Sequence, residues 1–77
     1  MDEQLFFNLI ACTIRFLQLL IGQVEEGYIG MDIFEDCACM KIRFLEESKN
    51  RIKNQDILED IEQVLHKYRR TLAAGTF

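Results

Sequence analysis

Small or polar residues recur at alternating steps of three and four through the first part of the chain: Gln4, Asn8, Ala11, Arg15, Gln18 and Gly22, ending at Glu25 or Glu26. At about 100° per residue this set fills an arc of only about 100° on a helical wheel. The rest of the wheel is apolar, from Leu5 and Phe6 through Leu9, Ile10, Phe16, Leu17 and Leu20 to Val24. The pattern predicts a helix over about 3–26 with one narrow wet edge. Asp2 is placed to cap its N-terminus, and Gly27 supplies the left-handed residue after its end.

A second helix is expected over about 33–49. Asp32 followed three residues later by Glu35 has the spacing of a capping box, and the apolar positions Ile33, Phe34, Cys37, Ala38, Met40, Phe44 and Leu45 follow. The third, over about 55–74, has the clearest period: Leu58, Ile61, Leu65, Tyr68 and Leu72, flanked by Ile57 and Val64. Acids lead this segment and bases trail it, as the helix dipole favours, and Gly75 ends it.

No Gly or Pro separates the second and third segments. Their apolar stripes, extrapolated at helical pitch, sit about 140° apart, so one straight rod would turn one stripe to water. A break within residues 50–54 is expected, with Asn54 or Asp56 capping the next helix. The fold class is all-α. Residues 1–77 form a single helical domain, a small three-helix bundle with a bent helical hairpin as the alternative.

The first helix carries more apolar surface than two short neighbours cover. Roughly 260° of its wheel is apolar, against the somewhat more than a third of a circumference that a three-helix bundle buries. Homodimerisation is the expected cover, with Phe6, Leu9, Ile10, Phe16, Leu17 and Leu20 at the oligomer interface. A chain of 77 residues is also short of core, and self-association is one common remedy. The segment is not read as a transmembrane span, because Asn8, Thr13, Arg15 and Gln18 interrupt it. A signal peptide is disfavoured by Asp2 and Glu3, where positive charge belongs.

Nine Lys and Arg stand against thirteen Asp and Glu. Residues 1–40 hold one base and seven acids, a net of −6; residues 41–77 hold eight bases and six acids, a net of +2, which together give the −4 of the chain. An acidic chain is a poor default nucleic-acid binder. Three cysteines cannot all pair internally, and the spacing Cys37-Ala38-Cys39 suits a reducing, cytoplasmic setting.

Candidate chemistry is sparse. Cys12, Cys37, Cys39 and His66 have the composition of a zinc site, but Cys37 and Cys39 diverge by about 200° on a helix. Cys12 and Cys37 are instead read as small core residues, and Cys39 as a partly exposed thiol. One serine (Ser48), one histidine and no phosphate loop give nucleophilic catalysis nothing to build on. No cofactor or metal is expected, and the chain is not read as an enzyme.

The residues describe a small interaction protein of the inhibitor or adaptor type, binding an unidentified protein partner as a homodimer. Tyr28, Ile29, Lys49, Arg51 and Lys53 are the candidate partner surface. The alternative is a helical nucleic-acid-binding regulator using the bases at 49–53 and 66–70.

Overall fold

A computed structural model describes residues 2–75. They form three α-helices in the order α1 (Glu3–Glu25), α2 (Met31–Lys49) and α3 (Gln55–Ala74), with no strand among the described residues. Links of five residues, 26–30 and 50–54, return the chain on itself, so sequential helices are antiparallel. The result is a three-helix bundle 40 × 17 × 16 Å across, and not the bent hairpin.

Local signals explain most of the boundaries. The Asp2 carboxylate accepts from the Gln4 backbone N–H at 3.3 Å. Asn54 Oδ1 accepts from the N–H groups of Asp56 at 2.9 Å and Ile57 at 3.3 Å. Both caps satisfy donors that a helix start leaves orphaned. Gly27 has φ 82°, the left-handed region that glycine enters without a Cβ penalty. Gly75 follows α3 in an ordinary right-handed conformation at φ −86°, and not in the left-handed one. A Cβ at Gly75 would meet the methyl end of the flexible Met31 side chain, which can turn aside.

The start of α2 departs from the sequence expectation. The helix begins at Met31, the N-cap is Gly30, and no side chain caps it. Asp32 therefore lies within the first turn, and the Asp32–Glu35 pair does not form the capping box. The earlier start places Met31 against the core beside the end of α3, which repays the missing cap with apolar burial.

One continuous core runs through the bundle. Ile10, Leu17 and Ile21 enter it from α1, Phe34, Ala38 and Leu45 from α2, and Ile61, Val64 and Leu65 from α3. Ile52 plugs it from the 50–54 link, so this break is anchored. Thr13 is buried too, and its hydroxyl donates to the Leu9 carbonyl at 2.7 Å. Bonding back to the i−4 carbonyl is how a helix accommodates a buried threonine.

Candidate interaction face

Half of α1 and half of α2 do not enter that core. On α1 the outward apolar residues are Leu5, Leu9, Cys12, Phe16 and Leu19, spaced by alternating steps of four and three. This is an a/d seam two heptads long, held within an arc of about 80°. On α2, Ile33, Cys37 and Met40 turn outward with the same alternation, and half-buried Phe44 continues it. Leu19, Met40 and Leu5 are 66%, 65% and 51% exposed.

The two stripes lie on the same side of the molecule. Phe6 of α1 meets Phe44 of α2 edge to face with ring centroids 6.4 Å apart. The Lys41 ammonium of α2 lies 5.5 Å over the Phe16 ring of α1. Each stripe is therefore on the flank of its helix that adjoins the other helix. Together they make one apolar face, crossed by Lys41 near its middle, with α3 behind it. The outer surface of α3 is polar by contrast, with Glu59, Asp60, Gln63, His66, Lys67 and Arg70 exposed.

This placement separates residues that the helical wheel groups together. Leu9 and Phe16 stand on the open face. Ile10 and Leu17 are instead buried in the chain's own core, and Phe6 and Leu20 are half-buried against it. Leu5 and Leu19, outside the set expected from the sequence, are exposed there in their place. Cys12 and Cys37 belong to the open face and not to the core, a correction with a simple cause. Phe34, Ala38 and Leu45 set the inward direction of α2, and Cys37 lies about 80° around the helix from their mean.

The remaining cationic residues are engaged at seams or scattered. Lys49 pairs with Glu62 across α2 and α3, and Arg69 pairs with Glu46 at 3.4 Å. The Arg51 guanidinium sits 5.0 Å over the Phe6 ring, while Lys53 is exposed. Tyr28, 72% exposed, and half-buried Ile29 lie in the 26–30 link at the opposite end of the bundle. The suggested partner residues thus form two separate sites. Among the described residues, no group of three or more His, Cys, Asp and Glu side chains could hold a metal ion. An open groove of about 610 Å³ between the end of α1 and the last turns of α3 is lined by Val24, Met31, His66, Lys67, Arg70 and Ala74.

Among the described residues, two groups have shifted pKa values. The hydrogen bond from Lys49 holds the Glu62 carboxyl below its ordinary value; exposed to water, that pair contributes little to stability. Burial raises Tyr68, and Glu35, Cys39 and Glu46 reinforce the shift. Its ring packs 5.3 Å from Phe34. Because the folded state holds Tyr68 protonated beyond the ordinary value of 10.0, its contribution is fully present below that pH and is lost as pH rises through the raised value. Stability from denaturant titrations should therefore fall above pH 10.0 more steeply in the wild type than in Tyr68→Phe. Parallel pH profiles for the two proteins would contradict the assignment.

No protein-family model, curated protein or solved structure matches the chain. By length and composition α1 is apolar enough to cross a bilayer, yet here Ile10, Thr13, Leu17 and Ile21 pack it into a bundle core.

Proposed function

We propose that the protein works by non-covalent protein association, as a small regulator of the inhibitor or adaptor type, and not by turnover. The supporting observation is the two-helix apolar face. Soluble monomers seldom carry a contiguous open patch beyond a few hundred Å². This one takes its seam from two adjacent helices with knob-and-hole spacing. Such a surface is built to receive helices, because residues spaced four and three apart interdigitate with the same spacing on a partner. Exposed Tyr28 at the bundle end and the polar outer surface of α3 are left for other contacts.

A photo-reactive residue placed at Leu19, at Tyr28 or at Glu59 and irradiated in living cells tests this reading. Protein adducts are expected from Leu19 or Tyr28, with itself or with a client, and not from Glu59 on the outside of α3. Lipid adducts alone, or no protein adduct from any position, would overturn it.

A further inference from the structure

We propose that the α1–α2 face receives a second copy of this chain. The two copies meet face to face about a two-fold axis that passes beside Cys12, with their α1 helices antiparallel. The inference rests on the association reading above and names the partner at that face.

Three observations select a second copy. The first is the form of the seam. Leu5, Leu9, Cys12, Phe16 and Leu19 lie at −7, −3, 0, +4 and +7 relative to Cys12, so the stripe reads nearly the same in both directions. An isologous contact requires that property, since every residue meets its counterpart across the axis. Antiparallel packing about Cys12 sets Leu5 against Leu19 of the other copy and Leu9 against Phe16, large residue on large. The smallest side chain of the stripe stands at the crossing point, where helix backbones approach most closely.

The second is area. Leu5, Leu9, Phe16, Leu19, Ile33 and Met40 are between 40% and 66% exposed. At roughly 200 Å² for a large side chain they leave about 600 Å² of apolar surface open. A standard stable interface buries about 800 Å² per partner, so this patch supplies most of one, with the cysteines and the stems of edge residues adding the rest.

The third is charge. From Gln4 to Gly22 the only charged residue of α1 is Arg15, so two α1 helices meet without stacking like charges along the seam. Antiparallel packing about Cys12 brings Arg15 to the level of Asn8 on the other copy, whose side-chain oxygen is an acceptor. Lys41 chooses between the two possible two-fold arrangements. It sits over Phe16, four residues past Cys12. With α1 on α1 the two lysines fall on opposite sides of the axis. With α1 on α2 of the other copy they would face each other at one height in the middle of the contact, where unpaired like charges are costly.

The full chain carrying Cys37→Ser and Cys39→Ser retains Cys12 as its single cysteine and tests this directly. It should sediment as a dimer, and a short bis-maleimide should convert it to a covalent dimer, each Cys12 thiol adding across one maleimide double bond. Adding Leu9→Asp should leave the helical circular dichroism intact, shift the sedimenting species to monomer and abolish the cross-link. A monomeric parent at all concentrations would overturn the proposal. So would a dimer that Cys12 does not cross-link, a dimer insensitive to Leu9→Asp, or a monomer that instead partitions onto phosphatidylcholine vesicles. If Leu19 cross-links a client in cells while the purified protein is monomeric, the second copy falls and the association reading stands.

Discussion

Phe34→Ala should abolish the folded state at room temperature. Phe34 is the largest fully buried side chain, in the first turn of α2 and packed on Tyr68 of α3. Truncating a buried Phe costs about 3–5 kcal/mol, lost transfer free energy plus the cavity left behind. A core of this size supplies only about 3–5 kcal/mol in all. The two magnitudes match, so the variant has no margin. Far-ultraviolet circular dichroism should show most of the helical signal gone, and thermal scans should show no cooperative transition. A protein that still melts cooperatively within a few degrees of the wild type would mean that Phe34 does not organise the core.

Leu17→Asp should be equally destructive, while Leu19→Asp, two residues away, should leave the bundle folded. Leu17 is 0% exposed and Leu19 is 66% exposed. A carboxylate at position 17 would be buried without a partner; either it ionises in an apolar core or its pKa rises until it is neutral, and both cost several kcal/mol. At position 19 the same group stands in water. The pair is read by urea titration: no cooperative transition for the first, a retained transition for the second, with any loss there reflecting assembly alone. Similar curves for both would mean that α1 is not oriented as described.

The contrast between those neighbours marks where sequence reasoning stops. Helix number, the break at 50–54 and the caps at Asp2, Asn54 and Gly27 were legible because each is a local event. They depend on backbone hydrogen-bond partners within a few residues, on φ, or on the phase of two stripes. The excess apolar circumference of α1 was legible for the same reason, being a property of one helix. What the wheel could not resolve was which part of that circumference turns inward. Ile10 and Leu17 lie next to Leu9 and Phe16 in sequence and are as apolar, yet one pair is core and the other is open.

Cys12, Cys37 and Ile52 show the same limit. Cysteine is small and apolar enough to be core, and burial statistics favour it there; only the inward direction set by Phe34, Ala38 and Leu45 turns Cys37 out. Ile52 sits in a polar link where no period exists to read, and it is buried because the chain passes over the end of the bundle.

Taken alone, the order of residues determined three amphipathic helices, most of their ends but not the start of α2, and one helix with more apolar surface than its neighbours need. Periodicity and capping act over one or two turns, so the chain carries them openly. Tertiary packing decided the rest: the rotation of each helix about its axis, the exposure of Cys12 and Cys37, and the joining of two leftover stripes into a single face. Helix rotation is set by how bulky side chains from three helices fill one shared volume, and that fit exists only after the helices have met.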